Sequence, residues 1–164
     1  MLGNDYVFDD TAAIVDNPLV TGERPASDAF TVNFWGGRAG YEHVTTFRPL
    51  TTLGFRASFA ISRGPTFQHA VNLLLHGLTV AAVFALVFAW FSSLSAAAIA
   101  AALFAVHPVH VEAIAGAVNR AELQTALFYV LALYGLVRRR YGLTLVLFAL
   151  AMFSKEHAVT WPVA

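Results

Sequence analysis

The chain contains no cysteine. Disulfide scaffolds, Cys-ligated zinc or iron–sulfur sites and thiol nucleophiles are therefore excluded. Charge is also scarce: Asp, Glu, Lys and Arg make up 12% of the 164 residues, against roughly 25% in a typical soluble domain. The 10 cations and 10 acids cancel to a formal net charge of zero. With no cationic excess to neutralise phosphates, a basic nucleic-acid binder is not expected. No repeat of fixed period occurs, and no basic-then-apolar leader opens the chain, which starts MLGNDYVFDD. What is present is hydrocarbon: 58% of residues are hydrophobic and the mean hydropathy is +0.64. That composition excludes intrinsic disorder and leaves a soluble globule short of polar cover. By length alone the chain is about one domain.

The zero charge hides a division. Residues 1–66 hold Arg24, Arg38, Arg48, Arg56 and Arg63 against Asp5, Asp9, Asp10, Asp16, Glu23, Asp28 and Glu42, a net of −2. Residues 67–164 hold Arg120, Arg138, Arg139, Arg140 and Lys155 against Glu112, Glu122 and Glu156, a net of +2. The first part is punctuated by Gly, Pro and Asn and reads as a non-cytoplasmic loop with short interfacial helices. The second reads as a transmembrane region. Leu73–Phe91 carries no charge. At ~1.5 Å per residue it reaches about 28 Å, close to a bilayer core of about 30 Å. Four membrane helices are expected, at about 67–91, 94–106, 121–137 and 141–153. The later ones are short and end on polar clusters, as helices do when they line a shared cavity. The expected fold class is an all-α polytopic membrane bundle.

Four spans must alternate sides. The compact Arg138–Arg140 loop belongs in the cytoplasm by the positive-inside rule. Residues 1–66, His107–Glu122 and Ser154–His157 then share the opposite face, and every plausible catalytic group is delivered there.

Within that face, Asp9-Asp10 follows Tyr6-Val7-Phe8. Neighbouring carboxylates can disfavour each other's ionisation, which suits general-base work on a hydroxyl; a solvated turn or helix cap is the plainer reading. Asp16-Asn17-Pro18 reads as an Asx turn. His107-Pro108-Val109-His110-Val111-Glu112 ends a helix at Pro108. Its side chains suit a phosphate oxygen or helix-end hydrogen bonds better than a metal, for which further ligands are not evident. Asn119-Arg120-Ala121-Glu122 has capping-box form. Arg120, a cation at a helix N-terminus, is unfavourable with the macrodipole and calls for an anion, either Glu112 or a ligand phosphate. Lys155 is read as an ion pair with Glu156 or a phosphate contact. His69, Asn72 and His76 share one helix face. Residues Thr46–Ile61 suggest a membrane-surface element with Arg48 and Arg56 snorkelling, and Phe30, Phe34, Trp35 and Tyr41 fit interfacial anchoring.

The segments VFDDTAAIVDNP, FRPLTTLGFR, HAVNLLLHGL, LFAVHPVHVEAIAGAVNRAELQTALFYVLAL and FSKEHAVTWP follow in the order found in the transmembrane and tetratricopeptide-repeat protein family. The chain resembles that family from Tyr6 to Pro162. Its members are glycosyltransferases of the GT-C class, similar to protein O-mannosyltransferases. The resemblance implies a catalytic carboxylate in the first outer loop, at Asp9 or Asp10. It also implies a polyprenyl-phosphate-linked sugar donor, mannose foremost, and an acceptor hydroxyl on protein or lipid. Asn119 stands where the family has Gly. The family's first helix, later helices and repeats have no counterpart here, so a fragment is expected.

The leading expectation is an inverting transferase that uses neither metal nor cofactor beyond its donor. Asp9 or Asp10 would deprotonate the acceptor, and His107, His110, Arg120 and Lys155 would hold the leaving phosphate. Glu112, Glu122 and Glu156 would support them. Expected partners are the bilayer, the lipid-linked donor and the acceptor. The expected location is a bacterial inner membrane, or the endoplasmic reticulum membrane in a eukaryote. A transporter or channel, or a non-catalytic membrane fragment, remains the alternative; charges at helix ends rather than mid-span weigh against transport.

Overall fold

A computed structural model describes residues 3–37, 40–41 and 43–163. Arg38 and Glu42, counted in the charge balance, lie outside them. The order is a π-helical turn (Thr11–Val15), α1 (Pro18–Thr21), a 3₁₀ turn (Ala26–Phe30), α2 (Pro49–Ile61), α3 (Pro65–Phe91) and α4 (Leu94–Val106). Then come α5 (His110–Ala115), a 3₁₀ turn (Ala117–Asn119), α6 (Arg120–Val137), α7 (Tyr141–Ser154) and a 3₁₀ segment (Glu156–Val163). No strand occurs among the described residues.

Local chemistry explains the breaks. Pro18, Pro49 and Pro65 each open a helix, where a missing N–H goes unneeded. The Asn17 side chain accepts from Leu19 N and caps α1, as the Asx reading expects. Ser92 closes α3 in the left-handed region at φ 53°, and the Ser93 side chain caps α4 through Ala96 N. His107 leaves α4 extended because Pro108 follows. After α6, Arg139 turns left-handed at φ 55°, with Arg140 N donating to Gly135 O at 2.8 Å and Arg139 N to Leu136 O at 2.9 Å. That is a Schellman cap, and its three arginines complement the negative end of the α6 dipole.

Helix α3 packs on both α4 and α6, and α6 packs on α7. Gly135 sets that last contact. A Cβ there would lie 2.8 Å from Thr144 Oγ1 and 3.5 Å from Thr144 N. Gly135→Val is therefore expected to part α6 from α7 at a cost of about 1–3 kcal/mol, read as a lowered unfolding midpoint in detergent.

The helical layer is polar inside and apolar outside. Gln68, His69, Asn72, His76 and Thr79 form a buried face of α3. Thr125 of α6, Thr144 of α7 and Ser154 are buried too. Meanwhile Leu74, Leu78, Phe88 and Trp90 of α3, Ile99 and Leu103 of α4, and Leu145 and Val146 of α7 are exposed. Water would reverse this arrangement. Four spans were expected; α3 is the one helix among the described residues long and apolar enough to cross a membrane. Helices α4 and α7 are apolar but shorter.

The first part has its own core, in which Ile14, Val20, Phe34, Phe55, Phe59 and Ala117 meet. This corrects three readings. Phe34 is no interfacial anchor; it is 1% exposed and packs against Trp35 and Phe55. Arg48 does not snorkel: its guanidinium lies 5.1 Å from the Phe34 ring centroid and its Nε donates to Glu156 at 3.1 Å. Arg56 does not snorkel either. Its Nη1 donates to Leu19 O and Arg24 O at 2.9 and 2.7 Å, one a carbonyl that so short a helix as α1 leaves without an intrahelical donor and the other in the loop after it. Gly36, at φ +71°, lies against the Asn17 side chain, where a Cβ would stand 2.4 Å from Asn17 Oδ1.

Candidate functional site

Arg120 opens α6 and is 1% exposed. Its Nε donates to Asn72 Oδ1 at 3.1 Å, and Nη1 donates to Ser58 Oγ at 2.7 Å and Gly54 O at 3.4 Å. Nη2 donates to Gln68 O and Oε1 at 3.2 and 2.8 Å. The guanidinium also sits 4.4 Å from the Phe55 ring centroid. A guanidinium has five N–H donors, and five acceptors surround this one. All are neutral. The expected anionic partner is therefore absent: neither Glu112 nor a ligand is needed to satisfy Arg120, and no donor is left for a phosphate. It ties α2, α3 and α6 together. Asn72 extends the network by donating to Gly116 O at 3.0 Å. Nearby His69 is buried with neither ring nitrogen hydrogen-bonded among the described residues.

The acidic pair is split by its surroundings. Asp10 is 1% exposed. Its Oδ1 accepts from Val118 N at 2.7 Å and its Oδ2 from Val7 N at 3.2 Å. Asp9 is exposed, with no hydrogen bond or ion pair among the described residues. Phe8 before it holds φ +48° and is 97% exposed. A left-handed, non-glycine residue is a strained feature of the kind that gathers at functional sites. Asp10 thus pins the N-terminal segment to the foot of α6, and Asp9 presents the free carboxylate. Tyr6 lies in the same field: burial pushes its phenol up, Arg120 opposes that, and Asp10 adds to it.

The capping box does not form. Asn119 makes no cap bond; its Nδ2 donates to Glu112 O at 3.0 Å. Glu122 instead pairs with Lys155 through Oε1, and its Oε2 lies 3.5 Å from His157 Nε2. So Lys155 does not pair with Glu156, which binds Arg48. The exchange follows from α7 running back beside α6, which brings Lys155 to the first turn of α6. Burial raises the Glu156 carboxyl, but its own backbone N–H, Arg48 and Lys155 outweigh this and hold it below the ordinary range.

A cavity of about 520 Å³ opens between α3, α5, α6 and the closing segment. His110, Glu112 and Glu122 line it, as do Asn119, Tyr129 and His157. His76 and Phe104 form one wall. The His110 ring lies 4.3 Å from Phe104, 5.3 Å from His76 and 5.9 Å from His107, centroid to centroid. Thr125 also lines the cavity, its hydroxyl buried without a hydrogen-bond partner among the described residues. Of the residues read from sequence, His110, Glu112 and Glu122 form the wall, and Lys155 joins through Glu122. Asp10 adjoins it in space through Val118, the chain neighbour of Asn119. His107 is exposed and its Nδ1 accepts from Val109 N at 3.2 Å. His107, Asp9, Arg120 and Glu156 are not in the wall. Tyr129 and Thr125 were missed, and His157 was read only as part of the Ser154–His157 cluster, with no role of its own. His157 is the next residue after Lys155-Glu156, whereas Tyr129 and Thr125 sit in an apolar helix with no distinguishing spacing. His76 was marked only as part of a helix face.

Burial, then the neighbouring His76 and His107, lower the His110 pKa from its ordinary 6.5. Below 6.5 the unfolded chain therefore binds more protons than the folded one, and stability falls as pH falls. Unfolding midpoints measured from pH 7 to pH 5 are expected to decline, and less steeply in His110→Asn.

Residues from the N-terminal segment, 110–122 and 155–157 thus converge. The chain matches no family model and no solved structure. It is 38% identical over 186 residues to protein O-mannosyl-transferase TMTC4 of Homo sapiens, covering 95% of this chain and 25% of that protein. It is 36% identical over 180 residues to protein O-mannosyl-transferase Tmtc2 of Drosophila melanogaster, covering 97% of this chain and 19% of that protein. With protein O-mannosyl-transferase TMTC1 of Mus musculus it shares 41% identity over 135 residues, covering 80% of this chain and 14% of that protein. The chain spans a quarter or less of the length of these relatives. By sequence it is TMTC-like, aligned over about 95% of itself with proteins named for O-mannosyl transfer.

Proposed function

We propose that this chain forms the outer-face and membrane part of a GT-C-type glycosyltransferase. It moves a sugar, mannose foremost, from a polyprenyl-phosphate donor to a protein hydroxyl. Residues 1–66 are the outer-face segment, and residues 67–164 cross the bilayer as four helices. The observation that carries the reading is the cavity lined by His110, Glu122 and His157, with Lys155 paired to Glu122 and the N-terminal acidic segment tied beside it through Asp10 and Val118, in a chain similar to O-mannosyl-transferases. The apolar outer faces of α3, α4 and α7 support membrane burial.

In this reading Asp9 takes the acceptor hydroxyl proton, the freed oxygen bonds to the anomeric carbon, and the bond from that carbon to phosphate oxygen breaks. The phosphate leaves with the electron pair, next to Lys155 and a neutral His110 that donates from its ring N–H. Before donor binding, Lys155 is occupied by Glu122. An entering phosphate exchanges that carboxylate for itself, with His157 retaining Glu122. Arg120 takes no part.

The test supplies the complete protein, in detergent, with polyprenyl-phosphate mannose and a Ser/Thr peptide. Mannosyl peptide is the expected product, and none should form with a nucleotide-linked mannose. Transfer from the nucleotide donor alone would sink the reading. Lys155→Met is expected to raise the donor KM by about tenfold, the loss of one charge-assisted contact.

A further inference from the structure

A second cleft lies away from the cavity, at the elbow between α2 and α3. It measures about 190 Å³ and is lined by Val20, Thr21, Gly22, Arg56, Phe59 and Arg63 among others. Two guanidiniums face one small space, and neither has a carboxylate partner among the described residues. Arg56 is held by the Leu19 and Arg24 carbonyls through Nη1 alone. Its Nε and Nη2 make no hydrogen bond and are not buried. Arg63 stacks over Phe59 at 5.4 Å. Its carbonyl accepts from Tyr6 Oη at 2.8 Å, which fixes the backbone that carries it. One acid stands at the rim: Glu23, bound to Thr21 Oγ1 at 3.0 Å. The local balance remains one positive charge.

We propose that this cleft binds a phosphate-bearing anion. Two arginines with free N–H forks, one already oriented, are the donor set that a tetrahedral oxyanion takes. The position suggests the source. The cleft sits at the start of α3, the helix long enough to span a bilayer, and Ile61 beside it is 74% exposed. An anionic lipid would place its phosphate between Arg56 and Arg63 and its acyl chains along the uncovered face of α3. The site is separate from the transfer cavity and does not depend on the transferase reading.

The full chain in uncharged detergent is titrated with short-chain phosphatidate, with the matching phosphatidylcholine and with inorganic phosphate, using calorimetry. Phosphatidate is expected to bind about tenfold more tightly than phosphatidylcholine, and Arg63→Gln to remove that preference. Glu23→Gln is expected to tighten binding at low salt, since it removes the one opposing charge. Arg56→Gln also frees two carbonyls and can loosen α1. Arg63, which is exposed and outside any helix, is therefore the deciding variant. Phosphatidate binding above inorganic phosphate assigns the site to a lipid headgroup, and equal binding assigns it to free phosphate. An Arg63→Gln chain that binds phosphatidate as tightly as the wild type overturns the proposal.

Discussion

Arg120→Met is expected to destabilise the fold by about 3 kcal/mol, without first affecting donor affinity. Two opposing effects set the size. Removing a buried cation relieves a desolvation penalty of several kcal/mol. Against this, the charge-assisted hydrogen bonds to Asn72, Ser58 and Gln68 are lost, at roughly 1.5–3 kcal/mol each. Asn72 Oδ1 and Gln68 Oε1, on side chains 0% exposed, are left without that donor. The losses outnumber the relief because one guanidinium, carried by α6, serves acceptors on both α2 and α3. Arg120→Lys is expected to be no milder. An ammonium keeps the buried charge but cannot reproduce the planar fork or the stacking on Phe55. Denaturant unfolding in detergent, beside donor titration, is the measurement. Wild-type stability with lost phosphate affinity would restore the ligand role that a lone cation at a helix N-terminus suggests.

Asp9→Asn is expected to cut sugar transfer by about 10²–10⁴-fold, the range for loss of a positioned general base, while leaving the unfolding midpoint in place. Asp10→Asn should do the reverse in part. It weakens one of two backbone anchors, lowering stability by about 1–2 kcal/mol, and slows transfer only as far as the N-terminal segment loosens. The distinction rests on burial: Asp10 is spent on Val118 and Val7, and Asp9 is free. Both variants are assayed in the complete protein with polyprenyl-phosphate mannose. Full transfer by Asp9→Asn with none by a folded Asp10→Asn would exchange the two roles.

The sequence by itself determined the long apolar helices and the gathering of polar groups, though not the short α5 at His110–Ala115. Chain breaks at Pro49, Pro65, Ser92-Ser93, Pro108 and Arg138–Arg140 are local chemistry, and helices alternate direction whatever their side chains do. It follows that residues 107–122 and 154–157 meet again near residues 6–10. The face of His69, Asn72 and His76 was likewise legible, because polar spacing on an apolar helix is a periodic signal.

Only the tertiary structure decided who pairs with whom. Asn119 and Glu122 have capping-box spacing, but α7 brings Lys155 to Glu122 and an ion pair replaces the cap. Lys155 and Glu156 are neighbours in sequence, yet an extended residue at the helix end sends one to Glu122 and the other to Arg48. Arg120 called for an anion, and α2 and α3 together supplied neutral oxygens in sufficient number. The two acids at positions 9 and 10 are chemically identical in the sequence. They differ because two backbone N–H groups, those of Val118 and Val7, lie 2.7 and 3.2 Å from one of them. Cysteine has no part in any of this. In a chain with so few charges, each fold-level pairing changes what the remaining ones are free to do.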